Sequence, residues 1–305
     1  MKNYIITGST GFLGSRLSKS LEKNDRIIRN LNSKNCDLRN KDNIYKFKEK
    51  YDYIIHLAAW TQAGDFCLKY PGDQWIINQE INTNILRWWK EEQPNAKLVF
   101  MGTSCVYSEN SSLTEDEYMK GEPTESLYTY AMTKRMLYQG AKALNQQYGL
   151  NYLCAVPSTL YGPGYHTDGR QLHFIFDLIR KIIRGKEYGE EVVLWGDGNQ
   201  KRELVFIDDF IKILDFLIHN CNNDIFNIGA GQEFSIKHFA NLICEEINFP
   251  FEKIKFDTSK YVGAKSKCLS TTKLSKILNT YNLKNLDQGL KETINWFYQN
   301  KVFDL

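Results

Sequence analysis

Short runs of apolar, β-branched and aromatic residues recur through the first half of the chain, at NYIIT (3–7), RIIRNL (26–31), YDYIIHLAA (51–59), KLVFMGT (97–103) and NYLCAVPS (151–158). Each is too short for a helix and too evenly apolar for a strand with one wet face, so each predicts a strand buried on both sides. The stretches between them carry apolar residues at the helical period. Strands alternating with helices build βαβ units, and these join into a parallel sheet covered on both faces, the doubly wound Rossmann-type α/β architecture. After LYGPG (160–164) the alternation loosens. VVLWG (192–196), ELVFID (203–208) and DIFNIGA (224–230) predict short strands, IDDFIKILDFLIHN (207–220) a helix, and SIKHFANLICEEIN (235–248) a helix opened by Ser235, whose hydroxyl suits an N-cap. A strand at KIKFD (253–257), a lysine-rich loop and two more helices complete the chain.

Composition narrows the class. The 305 residues, 42% hydrophobic and 25% charged, have the balance of a soluble globular protein with one large or two modest cores. The net charge of +3 comes from 39 basic and 36 acidic residues scattered without a basic block, which argues against a nucleic-acid partner. Seven widely spaced cysteines with no C-x-x-C pair fit reduced thiols better than disulfides or a metal site. No apolar run reaches the ~18 residues of a membrane span, and MKNYIITGSTGFLG reads as a strand entering a glycine loop rather than a signal peptide. A cytoplasmic location without a membrane partner is expected.

That loop is the first feature with chemistry. ITGSTGFLGSRL sets Gly8, Gly11 and Gly14 directly after a strand and at the start of a helix, with Thr10, Phe12 and Leu13 between them. Glycines there let the backbone approach a pyrophosphate, which rests on the helix N-terminus. A dinucleotide-binding domain over 1–160 is therefore expected, with a smaller α/β substrate domain over 161–305, parts of which return to the main sheet. Asn30 stands where NAD-binding proteins often carry an acidic residue for the ribose, and it still hydrogen-bonds a hydroxyl; Arg29 and Lys34 would instead meet a 2′-phosphate. NAD(H) is the favoured cofactor, with NADP(H) the alternative.

The second feature names a reaction type. Tyr130 and Lys134 lie four residues apart, hence on one helix face, and Thr103 follows a predicted strand. A phenol assisted by an ammonium passes a proton to or from a carbinol oxygen while a nicotinamide exchanges the hydride. The ammonium is expected to lower the phenol pKa from about 10.

With these residues in view, the chain resembles, nearly end to end, the extended short-chain dehydrogenase/reductases of the NAD-dependent epimerase/dehydratase family. The shared segments are the loop from Gly8 to Gly14, HLAA from His56 to Ala59, Tyr130 to Lys134, YGP from Tyr161 to Pro163, and the stretch from Arg202 to Asp209. Within that group it is most similar to the GDP-L-fucose synthases, through GTSCVY, QQYGLNYLCAVPSTLYGP, VVLWGDGNQKRELVFIDD and FDTSKYVGAKSKCL. The resemblance implies Thr103, Tyr130 and Lys134 as the redox triad, and Cys105 and His173 as the acid/base pair beside the sugar ketone. It implies cofactor contacts from Asp37, Leu38, Leu57, Ala58, Ala59 and Pro157. Arg202, Lys267 and Lys181 would meet the nucleotide diphosphate, Trp195 the base, and Thr159 and Arg170 the rest of the substrate. It implies a homodimer built on the helices around WIINQEINTNILRWW and YAMTKRMLYQGAKAL. Trp88 and Trp89, adjacent in sequence, point to different helix faces, so at least one is expected to be buried by a partner; no metal is expected. The chain departs from the family pattern at Thr10, Thr159, and Leu127 with Tyr128.

These readings converge on a nucleotide-sugar oxidoreductase, with GDP the implied nucleotide, exchanging hydride at sugar C4. The alternatives are a fucose-synthase-like 3,5-epimerase/4-reductase, a nucleotide-sugar 4-epimerase, and a dinucleotide-sensing protein without catalysis.

Overall fold

The computed structural model describes residues 2–22, 26–109, 111–260, 264–278 and 282–304. Part of the FDTSKYVGAKSKCL segment, 261–263, lies outside the described residues. In chain order the elements are β1 (Asn3–Thr7), α1 (Phe12–Glu22), β2 (Ile27–Leu31), α2 (Lys41–Ile44), β3 (Tyr53–His56), α3 (Phe66–Lys69), α4 (Pro71–Glu92), β4 (Lys97–Met101), α5 (Tyr128–Tyr148) and β5 (Tyr152–Pro157). The later half adds β6 (Thr159–Tyr161), α6 (Phe174–Tyr188), β7 (Val193–Trp195), β8 (Lys201–Arg202), β9 (Leu204–Phe206), α7 (Ile207–Asn220), β10 (Asp224–Ile228), β11 (Phe234–Ser235), α8 (Ile236–Ile247), β12 (Lys255–Asp257), α9 (Thr272–Ile277) and α10 (Leu286–Gln299).

Two compact units result, one of residues 1–157 with 210–228, the other of 158–209 with 229–305. In the first, six parallel strands run in the order β10-β5-β4-β3-β1-β2. Their central residues, such as Ile5, Ile6, Ile54, Ile55, Val99 and Phe100, are fully buried. Two-sided burial explains why β1, β3, β4 and β5 read as continuous apolar runs; β2 departs from that expectation, because it is an edge strand and only Leu31 of it is buried while Ile27 is exposed. The chain leaves β1 towards β2 on one side and β3 on the other. The strand order therefore reverses between β1 and β3, the place where doubly wound sheets receive ligands.

Helix α4 does not follow the usual amphipathic rule, because its buried face is lined with amides at Gln74, Asn78, Asn82 and Asn84 beside Ile81 and Ile85. Each amide is used. Asn78 bonds both the N–H (2.8 Å) and the carbonyl (3.0 Å) of Trp60, and Asn84 donates to the carbonyls of Leu38 (2.8 Å) and Arg39 (3.1 Å). Loops that leave the ends of β2 and β3 carry backbone groups no sheet satisfies, and α4 supplies their partners.

Trp88 and Trp89 correct one expectation. Both indoles are wholly buried within the chain, Trp88 against Tyr51 and Trp89 donating to the Ala96 carbonyl at 2.9 Å, so the pair offers nothing to a partner. Adjacent residues point to different sectors of the helix, but α4 is enclosed widely enough here to bury both. The large exposed apolar residues of α4 are Trp75 and Ile76.

In the second unit β6 pairs with β9 and β7 with β12, both parallel, while β8 and β11 run antiparallel. Aromatic contacts join the helices: Phe174 of α6 meets Phe239 of α8, and Phe176 stacks with Phe297 of α10. Ser235 caps α8 as its side chain predicts, its hydroxyl accepting from the His238 N–H at 3.1 Å. Among the described residues no helix is long and apolar enough to cross a membrane.

Candidate active site

The glycine loop is shaped by close backbone packing. Gly8 has φ +68°, and a Cβ there would stand 2.8 Å from the Ala58 nitrogen; a Cβ on Gly14 would stand 2.2 Å from the Gly8 carbonyl oxygen. Only glycine fits either position. Gly11 closes the turn with its N–H on the Gly8 carbonyl (3.1 Å), Thr10 is exposed, and Phe12 and Leu13 form the first turn of α1, where amides have no acceptor inside the helix. A bare, tightly turned loop feeding an 11-residue helix at the switch point fits a dinucleotide pyrophosphate.

The other expected cofactor residues of this unit lie on the strands and loops that follow. Leu57 donates to the Thr7 carbonyl (3.2 Å) and Ala58 to the Thr7 hydroxyl (3.3 Å), which hold the strand end with Ala59 beside the loop. Asp37 is clasped by Arg39 at 2.6–3.0 Å, a pairing that keeps its carboxyl below the usual range, and Leu38 is buried. Asn30 accepts from Ser18 and reaches Glu22 at 3.5 Å. Arg29 is paired with Glu49 at 3.3 Å. Pro157 ends β5.

A buried hydrogen-bond chain then ties this edge to α5, which carries Tyr130 and Lys134. The Thr7 hydroxyl meets His56 Nδ1 at 2.8 Å, His56 Nε2 meets the Asn82 Oδ1 at 3.2 Å, and the Asn82 amide donates to the Thr133 carbonyl at 3.4 Å. Because the Asn82 oxygen only accepts and the Thr7 oxygen already accepts from Ala58, the network assigns the proton to Nε2 and has Thr7 donate to Nδ1. Burial and the Lys134 charge push His56 down to about 3, so the imidazole stays neutral.

Thr103, Cys105, Tyr130 and Lys134 all lie in this first unit. Thr103 follows β4 and caps a short helical turn, its hydroxyl accepting from the Cys105 N–H at 3.2 Å. Tyr130 opens α5, and the buried Lys134 ammonium stands 5.8 Å from its ring centre. The expected lowering of the phenol pKa is reversed. Burial raises Tyr130 above its ordinary value, with the thiols of Cys105 and Cys67 adding to the shift, and burial lowers Lys134 to about 8. Desolvation disfavours the charged form of each and outweighs their attraction. At pH 7 the pair is a protonated phenol beside an ammonium.

The remaining residues belong to the second unit. His173 is the N-cap of α6; the residue keeps accessible surface, but desolvation of its ring, with the charges of Arg202 and Lys267, lowers it to about 4. Arg202, in β8, donates to the carbonyl of Ala264 at 2.8 Å, and the Lys267 N–H donates to Glu233 at 3.0 Å. Thr159 begins β6, and Trp195 ends β7 with 58% of its surface exposed. Two expected contacts are otherwise engaged: Arg170 chelates Asp168 at 2.8–2.9 Å, and Lys181 pairs with Asp177 at 3.0 Å. No disulfide joins the cysteines, and among the described residues no cluster of three acidic, His or Cys side chains could hold a metal.

The family model described as "NAD dependent epimerase/dehydratase family" matches residues 4–229. The chain belongs to that family. It is therefore an NAD(P)-dependent enzyme of nucleotide-sugar oxidoreductase type. It is 29% identical to a GDP-L-fucose synthase of Dictyostelium discoideum, over 98% of this chain and 96% of that one. It is 28% identical to a GDP-L-colitose synthase of Yersinia pseudotuberculosis, over 98% and 99%. A GDP-L-fucose synthetase from Naegleria fowleri, solved bound to NADP, superposes with a TM-score of 0.85 at 26% identity, covering 98% of this chain and 95% of that one.

For an epimerase/dehydratase family chain, the sequence reading missed the groups that support the site. His56 was quoted only as part of HLAA, and the α4 amides went unused, although Gln74, Asn78 and Asn82 repeat every four residues. A polar stripe at helical spacing on an otherwise apolar helix is a readable sign of buried partners. Glu203 also escaped notice. It is buried and accepts from the backbone of Gly231 (2.7 Å) and Leu269 (3.0 Å), fixing the segment after Lys267.

The Lys134 shift has a measurable sign. Between about pH 8 and its ordinary 10.5 the unfolded chain binds more protons than the folded one, so stability rises with pH there, and below about 8 the folded state carries the full cost of the buried charge. Lys134→Met is expected to raise the urea-unfolding free energy at pH 7 by up to about 3 kcal/mol, with the gain shrinking as pH climbs from 8 towards 10.5. A stability difference that stays constant over that range would show that Lys134 is not a buried charge.

Proposed function

We propose that this protein is a GDP-sugar oxidoreductase that reduces a 4-ketone, with Tyr130 as the proton donor. The observation that carries the reading is the geometry of the pair: Tyr130 and Lys134 lie one turn apart on α5, and the Lys134 ammonium stands 5.8 Å from the Tyr130 ring centre. A protonated phenol is the form that gives a proton to a developing alkoxide. Thr103 steadies the same oxygen by hydrogen bonding, and Lys134 stabilises the phenolate that the transfer leaves behind. When bound, the nicotinamide supplies the hydride. GDP as the nucleotide is supported by the names of the relatives, and Arg202 with Lys267 supply two positive charges suited to a diphosphate. This step needs neither Cys105 nor His173, which act only where epimerisation precedes reduction.

NAD(H) is the proposed cofactor. Arg29 is occupied by Glu49, Asn30 accepts from Ser18, and Thr10 brings no charge to the loop. Calorimetric titration is expected to give NADH the tighter binding; tighter binding of NADPH would reverse this assignment.

Tyr130→Phe tests the reaction itself. With a GDP-4-keto-6-deoxyhexose as substrate, the variant is expected to bind cofactor as the parent does and to lose turnover by about 10² or more. Turnover close to the parent's would remove Tyr130 from the chemistry and the reading with it.

A further inference from the structure

Directly after Lys134 on α5 comes Arg135, a buried guanidinium whose four hydrogen bonds go to backbone carbonyls rather than to a carboxylate. Nε donates to Tyr118 (2.9 Å), Nη1 to Gly121 (2.8 Å), and Nη2 to both Val106 (2.7 Å) and Lys120 (2.6 Å). Burial lowers its pKa, yet an arginine stays protonated, so a permanent charge is held here by carbonyl dipoles. The acceptors define what it grips. Val106 closes the helical turn Ser104–Val106 that Thr103 caps and that contains Cys105; Tyr118, Lys120 and Gly121 follow the next such turn, Glu115–Glu117. The Cys105 carbonyl is held in addition by the Thr124 N–H at 3.1 Å.

We infer that Arg135 is a positioning residue for the reaction: its planar fork clamps the Thr103–Cys105 turn onto α5 and so sets the distance from the Thr103 hydroxyl to the Tyr130 phenol. This inference rests on the proposed roles of Thr103 and Tyr130. Lysine carries the charge but lacks the fork, so it cannot meet four carbonyls spread over 106–121. The turn bearing Thr103 would then be free to shift, and displacement of a positioned group by about 1 Å costs on the order of 10²-fold in rate.

The test is a double-mutant cycle on the full chain with a GDP-4-keto-6-deoxyhexose and NAD(P)H, measuring kcat and KM per folded active site. Arg135→Lys is expected to lower kcat by about tenfold to a hundredfold while the sugar-nucleotide KM changes by less than about threefold. Thr103→Ala, which lowers kcat in the parent, should have little further effect in the Arg135→Lys background, because residues that act as one unit are not additive. Additive effects, or a kcat within about twofold of the parent, would overturn the inference. Arg135→Gln, which keeps a shorter donor, is the second variant; failure of both to fold would overturn it as well, by making Arg135 a requirement of the fold. Thr103→Ala alone separates the two readings: parental kcat in that variant would dismiss the triad, whereas additivity with Thr103 active dismisses Arg135 only.

Discussion

One neutral imidazole links the parts of the first unit that the chemistry needs. His56 receives the Thr7 hydroxyl at the root of the glycine loop and donates to Asn82, whose amide holds the Thr133 carbonyl one residue before Lys134. Both ring nitrogens of His56 are used, which is why a polar group at the centre of the unit is tolerated. Protonating His56 would turn its acceptor nitrogen into a second donor facing Thr7. Burial and the nearby Lys134 charge both oppose that change. The same low-dielectric surroundings keep Tyr130 protonated and bring Lys134 to about 8, so a single cause sets all three groups.

In the second unit two carboxylates fix the segment that carries Lys267. Glu203 spends its oxygens on the amides of Gly231 and Leu269, and Glu233 spends its own on Ser266 and the Lys267 N–H. Both acids bind backbone or hydroxyl on either side of Lys267 and thereby fix the segment that carries it. Arg202 and Lys267, after desolvation, both disfavour the protonated form of His173. A positive field suits an anionic ligand.

The strands, the sheet order class and the glycine loop were legible because their determinants are local: apolar runs at NYIIT or KLVFM and three glycines whose missing Cβ atoms are required by neighbouring backbone. Tyr130 and Lys134 share α5 as their spacing predicts, and Thr103 follows β4. What the sequence could not give was the balance of long-range effects. The ammonium of Lys134 was expected to acidify Tyr130, but burial acts on both groups and wins. Trp88 and Trp89 suggested a covered surface, yet α4 is enclosed on enough sides to bury both. Asn82, Arg135 and Glu203 act on backbone carbonyls or amides far along the chain, and their partners appear only once the loops are folded. Roles inferred from resemblance, those of Cys105, His173 and the substrate-facing residues, depend on ligand geometry that spacing does not contain.

The central claim is that hydride is exchanged at sugar C4 with Tyr130 supplying the proton. The most direct measurement incubates a GDP-4-keto-6-deoxyhexose with the protein and reduced nicotinamide carrying deuterium at its transferable position, followed by NMR of the sugar product. The account predicts deuterium at C4 and nowhere else on the ring, with the label arriving far more slowly in Tyr130→Phe. Product without deuterium at C4, or labelling at an unchanged rate in the variant, would contradict it.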